Sequence, residues 1–133
     1  METGMNRTWF GALALLALSS VSATSAQGPA LDRLMHRKLE CSQKILEAVV
    51  TSQWEDLDAQ TREMEALTDG PAWMVLTAPE YARHSAGFIR AVRTLREAAA
   101  RRDLDATPKA YAALTLSCVE CHRYLARNRL AGK

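Results

Sequence analysis

Apolar side chains recur at three- and four-residue intervals through four stretches of this sequence, and each stretch reads as an amphipathic helix. In the first, Leu31, Leu34, Met35, Leu39, Ser42, Ile45, Leu46 and Val49 form one stripe, with His36, Glu40, Gln43 and Glu47 on the opposite face. The period breaks near Ser52, whose spacing to Glu55 matches a capping box, so a second helix starts there with Leu57, Met64 and Leu67 inward. It stops before Asp69-Gly70-Pro71, a strong terminator. The segment from Thr68 to Thr77 has no period and reads as a loop with Trp73 in it, exposed or buried. Thr77 and Glu80 form another capping box, with Pro79 in the first turn of a third helix that runs to about Arg102. Its inward stripe is Tyr81, Ser85, Phe88, Val92, Leu95 and Ala99. After Asp103 to Ala106, Thr107 caps a fourth helix with Pro108 at its first position, and that helix reaches about Arg129.

No stretch carries a strand signal, and short links between successive helices make them antiparallel neighbours, so the fold class is all-α and the architecture an antiparallel four-helix bundle. The 133 residues suffice for one domain. The composition, 48% hydrophobic and 24% charged, excludes wholesale disorder and a multi-span membrane protein. The first 26 residues differ from the rest: Arg7, the apolar run Trp9 to Leu18 and the small polar stretch Ser19 to Ala26 follow the order of a secretory signal peptide. Thr24 and Ala26 suit a cut before Gln27, and Val21 and Ala23 are an alternative pair. The apolar run is far shorter than the roughly 20 residues that span a bilayer, so the expectation is an exported, periplasmic domain over residues 27–133 with no stable membrane span. A mature chain this short builds a small core, and a cofactor at the centre of the bundle would add stability.

The formal net charge is +2 and is unchanged when Glu2 and Arg7 leave with the first 26 residues. The distribution says more than the total. Glu40 to Asp69 holds eight acids against Lys44 and Arg62, whereas the stretch from Arg83 to Arg102 holds Arg83, Arg90, Arg93, Arg96, Arg101 and Arg102 against Glu97 alone. Such a basic stripe is either a solvated helix face or a surface that steers an acidic partner or meets the acidic groups of a cofactor. The near-zero net charge and export argue against nucleic-acid binding.

The chemistry lies in the fourth helix, where Cys118-Val119-Glu120-Cys121-His122 matches the C-x-x-C-H pattern of covalent haem attachment. On a helix these two thiols and the imidazole fall at i, i+3 and i+4 and share one face. The thiols can then add to two vinyl groups while His122 reaches the iron. Tyr111, Leu114 and Leu125 lie on the same face, so the motif looks into the bundle. A thioredoxin-like dithiol would need a βαβ context and a helix start, and a zinc site would need a second ligand pair, whereas Cys41, His36 and His84 are scattered. Cys41 reads as a small, partly buried hydrophobe.

An exported four-helix bundle with C-x-x-C-H on its last helix resembles the class II c-type cytochromes, the cytochrome c-prime family. The resemblance covers the whole mature chain, including the runs Met35 to Leu46, Tyr81 to Phe88 and Leu114 to His122. It implies one haem c per chain, bound through Cys118 and Cys121, with His122 as the proximal iron ligand. One position departs from the family: the Arg or Lys usual four residues after the haem His is Ala126 here, with Arg123 or Arg127 as substitutes. The resemblance also implies that the first helix faces the distal side of the haem, where Met35 is the candidate sixth ligand or a packing side chain. Helical phase places Met35 on the inward stripe and His36 about 100° away from it, and His84 is a weaker candidate. With Met35 bound, the iron is low-spin and closed to exogenous ligands, and the function is one-electron transfer to a redox partner protein rather than enzymatic turnover. Without it, the iron is open and binds NO or CO. The acidic first and second helices together with the resemblance point to a homodimer through those helices.

Overall fold

The computed structural model describes residues 27–74 and 78–131. The signal-peptide reading and the Thr77 cap fall outside the described residues. Four helices, α1 (Gln27–Thr51), α2 (Trp54–Ala66), α3 (Pro79–Ala100) and α4 (Ala106–Ala131), pack as an antiparallel all-α bundle. Each helix lies against the next, and α4 closes back on α1 along a looser seam. Among the described residues, no helix is long and apolar enough to cross a membrane.

The stripe expected on α3 is inward at every position, with Tyr81, Ser85, Phe88, Val92, Leu95 and Ala99 all buried. On α2, Leu57 and Met64 are buried and Thr61 joins them, its hydroxyl donating to the Leu57 carbonyl at 2.8 Å. The α1 stripe needs correction. Leu39 and Leu46 are exposed, and the seam runs instead through Leu34, Lys38, Cys41, Ile45 and Ala48. Those positions alternate four- and three-residue steps, the spacing that keeps a helix edge against a partner along its length. Leu39 and Leu46 lie just past that edge, on the exposed side of the helix. Cys41 is buried and unbridged, as its small size suits, and burial pushes its thiol pKa up.

Two helix ends also differ from expectation. Ser52 does not cap α2: it has φ 57° and terminates α1, with Gln53 N–H donating to Ala48 O at 2.9 Å and Ser52 N–H to Val49 O at 3.4 Å. Such reverse bonds satisfy carbonyls that the last turn leaves open. The end of α3 repeats the device, with Arg102 at φ 51° and Asp103 N–H donating to Ala98 O at 3.2 Å. Thr107 does not cap α4 either. Asp103 Oδ1 accepts from the backbone N–H groups of Asp105 at 3.0 Å and Ala106 at 2.8 Å, and Thr107 is buried as the second residue of the helix.

The basic stripe of α3 divides. Arg93 and Arg96 both reach Glu65 on α2 at 2.7 Å, and Arg102 lies 3.7 Å from Glu55. Arg83 and Arg90 turn the other way, toward α4. The acids of α2 are therefore partly spent within the bundle, where they tie α2 to α3 and, through Glu63 and Arg37, to α1.

Candidate functional site

The offset of α4 against α1 is set by a pair of polar contacts. The Tyr111 hydroxyl donates to the Ser42 carbonyl at 3.1 Å and lies 3.2 Å from the Ser42 hydroxyl. Moving the same number of residues along each antiparallel helix, from Ser42 to Met35 and from Tyr111 to Cys118, places Met35 across from the first motif cysteine. Between them the bundle opens into a cavity of about 690 Å³.

Cys118, Cys121 and His122 all line this cavity, as does Met35 from α1. Both thiols are half-buried and free, while His122 is exposed at the mouth. Burial pushes the Cys121 thiol pKa up. Among the described residues, no three His, Cys, Asp or Glu side chains converge on one point that could hold an ion directly. The motif thus presents two sulfurs and an imidazole spread along a wall, a layout suited to a broad ligand rather than to a bare metal ion.

Trp73, Tyr81 and Phe88 add an aromatic side to the wall. Trp73 from the α2–α3 connection is 4% exposed, and its ring stands 5.2 Å from that of Phe88. A hydrogen bond from the Tyr81 hydroxyl to the Trp73 carbonyl ties the connection to α3. From the loop that shows no periodicity in sequence, Trp73 is buried and lines the site.

One cationic side chain in this mostly apolar space went unnoticed in the sequence. Lys38 Nζ lies 3.7 Å from the centroid of the Phe88 ring and 4.5 Å from that of Trp73. Desolvation lowers its pKa, against an opposite pull from Cys118 and Cys121. Cation–π contact is worth about 0.5–2 kcal/mol, which falls short of the several kcal/mol that desolvating an ammonium costs. The Trp73 indole N–H is likewise buried without an acceptor, at a cost of about 1–3 kcal/mol. The signal that could have found Lys38 is its place on the four-three seam of α1, between Leu34 and Cys41; nothing local marks Trp73.

The other expected residues divide between this cavity and the surface. His36 is exposed, with Nδ1 2.9 Å from the Asp32 carbonyl oxygen. His84 lines the cavity, yet its ring stands 5.2 Å from that of Tyr124 and its Nε2 3.8 Å from Glu80. Ala126 also lines the cavity. Arg123 and Arg127, the substitutes considered for that position, instead line a separate groove between α3 and α4 with Arg83 and Arg90. They face away from the motif because they follow Cys118 by five and nine residues, off its helical face.

A haem fits these residues. The cavity is within the roughly 300–1,000 Å³ of cofactor-sized pockets, its walls are mostly apolar, and Lys38 gives it a cation that suits an acidic ligand. None of the family models, curated proteins and solved structures compared with this chain matches it.

Proposed function

We propose that this chain is an exported monohaem c-type cytochrome, similar to the class II group, that carries single electrons between partner proteins. The observation that carries the reading is the cavity shared by Cys118, Cys121, His122 and, from the opposite helix, Met35. Each thiol would add across a vinyl group, sulfur bonding to one carbon and the proton going to the other, which needs no external oxidant. The haem supplies a one-electron iron couple. His122 would hold the iron through an imidazole nitrogen from the mouth of the cavity, and the half-buried Met35 thioether would be its second protein ligand. Trp73, Tyr81 and Phe88 exclude water and set a low dielectric. The chain then needs no catalytic acid or base. A homodimer belongs to the same reading, built on α1, where Leu39, Leu46 and Val50 form an exposed apolar line.

Covalent attachment is the decisive property. Protein produced in the periplasm with haem-attachment enzymes should keep its haem through denaturing electrophoresis and acid extraction with organic solvent. Cys118→Ala with Cys121→Ala should abolish that retention. Wild-type chain that releases its haem to solvent would overturn the assignment. A covalently bound but high-spin haem that takes up CO without any change at Met35 would shift the function to binding NO or CO.

A further inference from the structure

The groove between α3 and α4 gathers cations from both helices. Arg83 and Arg90 line it from α3 and Arg123 and Arg127 from α4, with Glu80 and Glu120 as its acids. The two helices are antiparallel, so the first turns of α3 lie beside the last turns of α4. Arg83 pairs with Glu80. Arg90, Arg123 and Arg127 are exposed and enter none of the ion pairs among the described residues. Farther along α3, by contrast, Arg93 and Arg96 are held by Glu65. The groove also backs onto the cavity of Cys118, Cys121 and His122, because His84, Ser117 and Asn128 line both spaces. One layer of side chains therefore separates a cationic surface from the cavity proposed to hold the redox group.

We propose that the α3–α4 groove is the docking surface for an acidic electron-transfer protein, which exchanges one electron with the haem across that shared wall. The proposal rests on the haem reading and gives the partner of that reading its chemistry and its place. Exposed ion pairs are individually weak, so four exposed guanidiniums spread over two helices suit a broad acidic protein surface better than one small anion. Together they steer such a surface on approach and fix how it lands. Glu80 and Glu120 would repel a continuous phosphate chain, whereas a protein surface of mixed sign can set its own cations against them. In the reducing direction, one electron passes from the reduced partner to ferric iron, which leaves the partner oxidised by one electron and the iron ferrous. Tunnelling falls steeply with distance, and the thin wall at His84, Ser117 and Asn128 keeps that distance short.

The test uses the full holoprotein, with flavodoxin, an acidic one-electron protein, as the probe. Amide spectra of the ferrous protein at low salt should show oxidised flavodoxin perturbing residues 80–90 and 117–128, and the perturbations should vanish at about 0.5 M salt, where charge attraction is screened. In stopped flow, reduced flavodoxin should reduce the ferric protein at a rate that Arg90→Glu and Arg127→Glu each lower by fivefold or more at low salt. Lys109→Glu makes the same change in net charge in the first turn of α4, outside the groove, and should lower the rate by less than twofold. Arg90 and Arg127 stand on different helices, so either variant decides the matter if the other does not fold. Equal losses in the groove variants and Lys109→Glu would overturn the docking surface, as would perturbations centred elsewhere. Perturbation of the groove by inorganic tripolyphosphate but not by flavodoxin would overturn it too, in favour of a small-anion site. Release of the haem on denaturation defeats the haem reading; the amide map needs no electron transfer and tests docking by itself.

Discussion

At the residue scale, the same short list of atoms governs function and local stability. Met35 lies opposite Cys118 through the offset that Tyr111 and Ser42 impose, so its thioether is the distal group the proposed function requires. Met35→Ala should abolish the sulfur-to-iron charge-transfer band of the oxidised protein, open the iron to CO and lower the reduction potential. His36→Ala should do none of these, because His36 faces solvent. Optical spectra with and without CO check both. A second residue prediction concerns Thr107, whose buried hydroxyl has no partner. Thr107→Val removes an unpaid polar group at nearly constant shape and should stabilise the protein by about 1 kcal/mol, read as a higher urea midpoint at unchanged slope.

Helix ends are where sequence patterns and structure part company at the scale of elements. Ser-x-x-Glu at Ser52 and Thr-Pro at Thr107 both carry start signals, yet Ser52 ends α1 and Asp103 caps α4. The α1–α2 and α3–α4 links are short, and a left-handed residue turns the chain in each. The left-handed conformation costs a non-glycine residue roughly 1–2 kcal/mol. Arg102→Gly should therefore stabilise the bundle by up to about 1 kcal/mol, the residual being glycine's extra entropy in the unfolded chain. Asp103→Ala should destabilise it by about 1 kcal/mol, and Thr107→Ala should show no capping loss. Thermal melts of the three variants compare these directly.

For the whole molecule, charge does more within the bundle than along its surface. The Glu65 carboxyl lies below its ordinary pKa chiefly through the Arg93 hydrogen bond, with Arg96 adding to it. A folded pKa below the unfolded one gives stability that is present above the ordinary carboxylate range and lost as pH falls through the folded value. Glu65→Gln should cost on the order of 1 kcal/mol at neutral pH, and the gap from wild type should close in acid, as urea unfolding at the two pH values would record. The exposed line of Leu39, Leu46 and Val50 bears on assembly. Leu46→Glu should convert the proposed dimer to monomer in sedimentation without touching the haem spectrum; a wild type that is monomeric at micromolar concentration removes the dimer and leaves the haem proposal standing.

Helical period alone established the number of helices, the buried face of α3 and the placement of Cys118, Cys121 and His122 on one face, because each depends on residues within a few turns of one another. The motif was likewise visible as a pattern, since its residues are nearly adjacent in sequence. Which α1 residues face the cavity was not. Leu39 outranks Lys38 by hydrophobicity, and only the packing of α1 against its neighbours put Lys38 on the seam and Leu39 in solvent. Trp73 gave no periodic signal, and its burial depends on the Tyr81 hydrogen bond and the Phe88 ring contributed by another element. The division of the arginines between Glu65 and the α3–α4 groove was also beyond the sequence, because which acid a long cation meets is settled by the distance between helices, a quantity that only the folded bundle defines.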